Sequence, residues 1–129
     1  MFYLDASAAA KLVLSEPGST ALGRWMASTD SEVVSSDLLR TELLRAIRRH
    51  APEHMVQGQA VLEAISIIRL SRTIYERAAT VGPSVLRSLD AIHLAAAMEF
   101  GDELEGIITY DDRMGVGARS LGIDVIAPS

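Results

Sequence analysis

The chain has 129 residues, of which 49% are apolar and 22% are charged, a composition that fits one globular domain and argues against an intrinsically disordered chain. It has no cysteine, which excludes disulfide bridges, thiol nucleophiles and cysteine-ligated zinc. The formal charge of −5, from 12 basic and 17 acidic residues, argues against a protein that coats nucleic acid through bulk charge.

Short apolar runs alternate with helical patterns along the chain. In the first half, the sequence predicts a strand over Phe2–Leu4, helices over Ser7–Leu14 and Ser19–Ser28, a β-branched stretch at Val33 and Val34, and helices from Ser36 or Asp37 to about Arg49 and from Glu53 to about Ala64. In the second half, it predicts strands over Ile65–Leu70, Ile107–Tyr110 and Ile123–Ile126. Between these strands it predicts a helix with a capping box from Thr73 to Val81 and helices over Leu89–Phe100 and Asp111–Leu121. This alternation predicts an α/β fold, a three-layer α/β/α sandwich with a central parallel sheet, in a single domain over residues 1–129.

The sequence predicts a cytoplasmic protein with no membrane partner. No apolar run approaches the ~18 residues that a membrane-spanning helix needs. The start of the chain lacks the positively charged region of a secretory signal, and the absence of cysteine fits a reducing compartment.

Acidic residues follow two of the predicted strands. Asp5 directly follows the first strand, and Asp111 and Asp112 follow the strand over Ile107–Tyr110. If these strands are parallel neighbours, their acids lie at the same rim of the sheet, where ligands bind in such folds. The alternative is that each acid caps the helix that comes next, because Asp is a favoured N-cap residue.

Two further acids interrupt apolar helical faces. Glu42 lies within the apolar stripe of its helix, where an unpaired carboxylate would cost several kcal/mol. A buried pair with an arginine is its alternative interpretation. Asp90 lies in a helix that is apolar on nearly all sides, and its alternative is a helix-dipole role with Ser88 as N-cap.

One hypothesis covers all four positions: the carboxylates converge on a divalent cation. Ligand sets made only of oxygen favour Mg²⁺ or Mn²⁺ over zinc, and four acids can hold one ion or two. Such a centre suits hydrolysis of phosphodiester bonds. The cations would also supply the local positive charge that an acidic protein lacks towards a nucleic acid.

The remaining polar features are less specific. His93, one turn after Asp90, is predicted to be structural. The arginines of the helix that carries Glu42 form either a solvated face or contacts to phosphates, and Arg45 is the candidate contact.

Four ordered stretches resemble a known family. They are Tyr3-Leu4-Asp5-Ala6-Ser7, Thr41-Glu42-Leu43, Leu89-Asp90-Ala91-Ile92-His93-Leu94-Ala95, and Thr109-Tyr110-Asp111 followed by Arg113. In this order and spacing, the set resembles the PIN-domain ribonucleases, and among them the VapC toxins of type II toxin–antitoxin systems.

The resemblance implies roles for individual residues. The implied metal-binding and catalytic acids are Asp5, Glu42, Asp90 and Asp111. Asp112 is an alternative to Asp111, because either member of the doublet can reach a cation. Ser7 and Thr109 would orient a carboxylate or a water, and Arg113 joins Arg45 as a candidate phosphate contact.

The resemblance also implies an activity and partners. The expected reaction is Mg²⁺- or Mn²⁺-dependent endonucleolytic cleavage of RNA by water, which leaves a 3′-hydroxyl and a 5′-phosphate. The substrate would be transfer, ribosomal or messenger RNA. The expected partners are a second copy of the chain, in a homodimer, and a VapB-type antitoxin with a helical segment. An apolar groove for that segment is predicted at Trp25, Met26, Leu43 and Leu44.

Other classes remain as alternatives. A haloacid-dehalogenase-like phosphatase would need an acid two residues after Asp5, where this chain has Ser7. A non-catalytic PIN-like module that binds protein or RNA stays open, as does a structural protein with buried Asp–Arg pairs. Stabilisation by Mg²⁺ or Mn²⁺ would separate a metal centre from the structural protein.

Overall fold

Five short strands and seven α-helices alternate along the chain in a computed structural model that describes all residues from 1 to 129. The strands are β1 (Phe2–Leu4), β2 (Val33–Ser36), β3 (Ser66–Ile68), β4 (Gly106–Ile108) and β5 (Val125–Ile126). The helices are α1 (Ala6–Val13), α2 (Ser19–Ser28), α3 (Leu38–His50), α4 (Met55–Ala64), α5 (Arg72–Ala78), α6 (Ser88–Met98) and α7 (Asp112–Ser120). Short 3₁₀ turns cover Pro52–His54 and Gly101–Glu103.

The strands form one parallel sheet in the order β3-β2-β1-β4-β5. β1 lies at its centre, and Leu4 pairs in register with Ile108 of β4. The chain segments that leave β1, β2 and β4 therefore start at one rim, and this rim carries the acids discussed below. The predicted α/β fold with a central parallel sheet is confirmed.

Both faces of the sheet are buried. Successive residues of a strand point to opposite faces, so Tyr3 and Ile107 enter one core while Leu4 and Ile108 enter the other. The first core is closed by residues of α5, α6 and α7, and the second by residues of α1 to α4. Complete burial of a large apolar side chain contributes about 1.5–3 kcal/mol, and the central strands thus anchor the rim rigidly.

The starts of two helices differ from the sequence prediction. The capping box predicted at Thr73 is wrong: Ser71, in extended backbone conformation, caps α5 by accepting a hydrogen bond from the Ile74 amide at 3.2 Å. Ser88 is the first residue of α6 rather than its N-cap, and Arg87 holds the cap position without a side-chain hydrogen bond. In both cases a nearby residue in extended backbone conformation holds the N-cap position. The pattern of side chains alone does not determine which residue that is.

A glycine brings α4 close to the helix that carries Glu42. A Cβ added at Gly58 would lie 2.2 Å from Cδ1 of Ile47, so a larger residue here would have to displace the end of the Ile47 side chain. Separately, no helix of the chain is both long enough and apolar enough to cross a membrane.

Candidate active site

Four elements deliver acidic side chains to the carboxyl end of the sheet. Asp5 follows β1 directly, and Asp111 lies three residues beyond β4. Asp90 lies in the first turn of α6, and Glu42 lies in the second turn of α3, which follows β2. Because parallel strands end at the same rim, residues far apart in sequence meet here.

The Asp5 carboxylate is buried, with 3% of the residue exposed, and both of its oxygens accept hydrogen bonds. Oδ1 accepts from the Ser7 hydroxyl at 2.7 Å and from the Ala8 amide at 3.0 Å. Oδ2 accepts from the hydroxyl of Thr109. By accepting from the Ala8 amide, Asp5 caps α1, as its alternative interpretation predicts. It also accepts a hydrogen bond from Thr109, which follows β4.

Ser7 and Thr109 tie the ends of β1 and β4 together. The Ser7 oxygen accepts from the Tyr110 amide at 2.9 Å, and the Thr109 oxygen accepts from the Asp111 amide at 3.1 Å. Asp111 itself caps α7, with Oδ1 accepting from the Met114 amide at 2.9 Å. The two hydroxyls therefore hold the Asp5 carboxylate at a fixed position relative to the backbone of Asp111.

The surroundings of two acids at the rim, Asp5 and Asp90, disfavour the ionised form of their carboxyl groups. Burial raises the pKa of Asp5, although the hydrogen bonds from Thr109, Ser7 and the Ala8 amide act against this effect. Burial also raises the pKa of Asp90, and the negative charge of Asp111 raises it further. Glu42 adds a smaller contribution of the same sign. Asp90 is thus close enough to two other acids, Asp111 and Glu42, for their charges to disfavour its ionised form.

Glu42 pairs with a histidine of another helix. Its Oε1 contacts Nε2 of His93, whose Nδ1 lies 2.8 Å from the Tyr3 hydroxyl. The alternative prediction of a buried pair between Glu42 and an arginine is therefore wrong, because the partner is a histidine. Burial raises the pKa of the Tyr3 phenol, so this hydroxyl keeps its proton at neutral pH. The sequence pattern does not predict this contact; the one signal for it is that Glu42 and His93 each interrupt an apolar helical face.

Comparison with known proteins identifies the family. The sequence model of the PIN domain family matches residues 2–119 of this chain. The chain belongs to the PIN domain family.

Relatives of this PIN domain carry a common name. Ribonuclease VapC46 of Mycobacterium tuberculosis is 42% identical over 127 residues, which cover 98% of this chain and 97% of the relative. Ribonuclease VapC47 of the same species is 38% identical over 132 residues, which cover 99% and 97%. These matches confirm the predicted resemblance to the VapC branch of the PIN-domain ribonucleases.

Solved structures share the fold. The crystal structure of Mycobacterium tuberculosis VapC20, described as a toxin that cleaves the sarcin–ricin loop, superposes with a TM-score of 0.80 at 17% identity. The match covers 99% of this chain and 100% of that one. A chain of a toxin–antitoxin complex from Klebsiella pneumoniae superposes with a TM-score of 0.72 at 18% identity, over 100% and 98% of the two chains.

Three other residues singled out in the sequence make no hydrogen bond to the cluster at the rim of this PIN domain. Asp112 is exposed as the first residue of α7, and Arg45 and Arg113 are exposed without an acidic partner. A surface cavity of about 560 Å³ is lined by residues between Tyr75 and Ile92 and contains none of the four acids.

The apolar groove predicted for an antitoxin helix needs correction. Leu43 is completely buried in the second core and cannot line a groove. Trp25 packs edge-to-face on Phe2, with 4.9 Å between ring centroids. Leu44 lines an open groove together with Arg40, Thr41, Arg45, Arg48 and Met55, so the apolar surface at this point lies beside three arginine side chains.

The donor atoms of the rim suit a hard divalent cation, although they do not form a finished coordination sphere. Carboxylate and hydroxyl oxygens are the ligands that Mg²⁺ and Mn²⁺ prefer. Oε2 of Glu42 and Oδ2 of Asp111 have no hydrogen-bonding partner in the chain. No three acidic or histidine side chains are close enough, as arranged, to hold one ion together. The chemistry of the set therefore fits, and side-chain rotation would have to bring the oxygens together.

The raised pKa of Asp90 predicts how metal-free stability depends on pH. A carboxyl with a higher pKa in the folded than in the unfolded chain holds its proton more tightly when folded, so stability is lost as pH rises through the interval between the two values. Asp90→Asn removes this loss. In EDTA, we expect the melting temperature of the variant to exceed that of the wild type at pH 7, and the difference to shrink towards pH 4. A difference that stays constant or grows on acidification would contradict this assignment.

Proposed function

We propose that this PIN domain is a metal-dependent endoribonuclease that acts as the toxin of a toxin–antitoxin pair. The observation that supports the proposal is that four separate elements each carry an acid to the carboxyl end of the sheet, where the charges of Asp111 and Glu42 act on Asp90. Burial raises the pKa of both Asp5 and Asp90, the charges of Asp111 and Glu42 raise that of Asp90 further, and neither acid has an arginine or lysine partner. Such surroundings favour a cation.

Asp5, Glu42, Asp90 and Asp111 are the proposed ligands for one or two Mg²⁺ or Mn²⁺ ions. When bound, a divalent cation lowers the pKa of a water nucleophile and neutralises charge on the phosphate. Asp111 is preferred to Asp112 because Asp111 is half-buried and its charge acts on Asp90, whereas Asp112 is exposed.

The remaining residues of the cluster serve to orient Asp5. The Ser7 and Thr109 hydroxyls each donate a hydrogen bond to a different oxygen of this carboxylate. With Oδ1 already accepting two bonds, one lone pair of Oδ2 is left to face a ligand. The hydroxyls thereby fix which oxygen Asp5 presents to the rim.

Cleavage of a total cellular RNA pool by antitoxin-free protein tests the function directly. We expect discrete fragments in the presence of Mg²⁺ or Mn²⁺ and none in EDTA, with 5′-phosphate and 3′-hydroxyl ends. Fragments that form equally in EDTA would contradict metal dependence. Absence of fragments under all conditions, together with a melting temperature that Mn²⁺ does not change, would instead favour a non-catalytic binding module.

Arg45 and Arg113 are the proposed contacts to RNA phosphates. Arg45 lies one turn beyond Glu42 on α3, and Arg113 follows Asp112 at the start of α7, so both flank the rim. In an Asp90→Asn background that leaves RNA intact, Arg45→Gln is expected to weaken binding about three- to tenfold and to reduce the slope of log K against log[salt] by about 0.7–0.9.

The matched control for this measurement is Arg24→Gln, which removes an exposed arginine of α2. We expect this control to leave the affinity and the salt slope unchanged. Equal losses from both variants would assign the effect to net charge rather than to a contact by Arg45.

A VapB-type antitoxin is the proposed protein partner, supported by the VapC relatives and by the structural likeness to a chain of a toxin–antitoxin complex. A cytoplasmic location is proposed with it, since the RNA substrate is there. The homodimer expected from the resemblance stays a prediction.

A further inference from the structure

A buried chain of polar groups connects the interior of the sheet to Glu42. The Tyr3 hydroxyl, on the central strand β1, hydrogen-bonds with Ser36 Oγ at 2.9 Å and with His93 Nδ1 at 2.8 Å. The other ring nitrogen of His93 contacts Oε1 of Glu42. These hydrogen-bonded groups thus connect β2, β1, α6 and α3, in that order, and the last of them, Glu42, lies at the rim.

Burial differs sharply along this chain. Tyr3 and Ser36 are fully buried, and the His93 side chain is 3% exposed, but the Glu42 side chain is 22% exposed. Polar groups in a core cost free energy unless they are hydrogen-bonded. An apolar residue at position 93 would fill the same volume without this requirement, so packing alone does not account for a histidine.

The two contacts of the imidazole determine the geometry of Glu42. A ring held at Nδ1 by a group of the rigid central strand presents Nε2 in one direction. A carboxylate only accepts hydrogen bonds, so the Nε2 contact holds Oε1 of Glu42 on the inner side. Oε2, which has no partner in the chain, is then directed away from His93.

We propose that His93 is a positioning residue that orients Glu42 for cation binding, with Tyr3 and Ser36 fixing the imidazole. The inference rests on the proposed function, because it assigns Glu42 as a ligand. His93 touches neither substrate nor cation in this role; it acts through Glu42.

Two substitutions at position 93 separate positioning from packing. His93→Gln places an amide nitrogen close to the position of Nε2 and keeps a donor for Glu42. His93→Asn places its amide close to Nδ1, keeps the Tyr3 contact and loses the one to Glu42. Calorimetric titration of metal-free protein with Mn²⁺ is the readout, with melting temperatures recorded in EDTA for both variants.

We expect His93→Asn to weaken Mn²⁺ binding about tenfold, in the range typical for residues that orient a metal ligand. The Mn²⁺ affinity of His93→Gln should remain within about threefold of the wild-type affinity, even where both variants lose similar thermal stability. Equal weakening in the two variants, or wild-type affinity in His93→Asn, would overturn the inference while leaving the proposed function in place. A wild-type protein that neither binds Mn²⁺ nor cleaves RNA would overturn both.

Tyr3→Phe serves if the His93 variants fail to fold. It removes only the hydroxyl that holds Nδ1 and keeps the ring in the first core. We expect weaker Mn²⁺ binding than in the wild type, and unchanged binding would count against the positioning role.

Discussion

Asp90→Asn is expected to lower the rate of RNA cleavage by at least about 10³-fold. Asn has the shape of Asp but no charge, so it removes one of the proposed anionic ligands while keeping the volume. Loss of several kcal/mol of charge stabilisation in the transition state corresponds to this factor, since about 1.4 kcal/mol is tenfold in rate. The measurement is the single-turnover rate at which discrete fragments form in Mn²⁺.

Asp112→Asn is the matched control for that result. Asp112 carries the same charge within the same doublet, but it is exposed on the first turn of α7. We expect its cleavage rate to stay within about twofold of the wild type, as for surface substitutions away from a site, and Asp111→Asn to behave like Asp90→Asn. Cleavage by Asp90→Asn at the wild-type rate, or an equal loss in Asp112→Asn, would contradict the proposed ligand set.

The acids at the strand ends were predictable because their signal is local. Asp5 and Asp111 each follow a short apolar run, and the alternation of runs with helices indicates parallel strands that share a rim. The capping and rim interpretations of these residues turn out to be compatible. Each carboxylate caps a helix with Oδ1, and Oδ2 remains for other contacts.

The pairing of Glu42 with His93 was not predictable from spacing. Helical periodicity places Glu42 on an inward face of α3 and His93 on an inward face of α6, but it does not tell which helices face each other across the sheet. The order of the strands decides that, and short strands of similar composition do not reveal their order. The Leu43 error has a related origin, because an apolar helix has a core side and a groove side that composition alone does not distinguish.

The second large effect expected of this protein is stabilisation by metal. A ligand that binds only the folded state raises the free energy of unfolding by RT ln(1 + [L]/Kd), which is about 2.7 kcal/mol when Mn²⁺ is present at 100 times its Kd. For a chain of this size, we expect a rise in melting temperature of about 10 °C. Differential scanning fluorimetry over a Mn²⁺ series, with EDTA as reference, measures it.

The same titration on Asp90→Asn connects stability to the site. In EDTA the variant should melt at a higher temperature than the wild type at pH 7, because burial and the neighbouring charge of Asp111 disfavour an ionised Asp90. In saturating Mn²⁺ the order should reverse, because the wild type gains binding energy that the variant has lost. This crossing distinguishes a cation centre from a merely strained acidic cluster, since a strained cluster would favour the variant at every Mn²⁺ concentration.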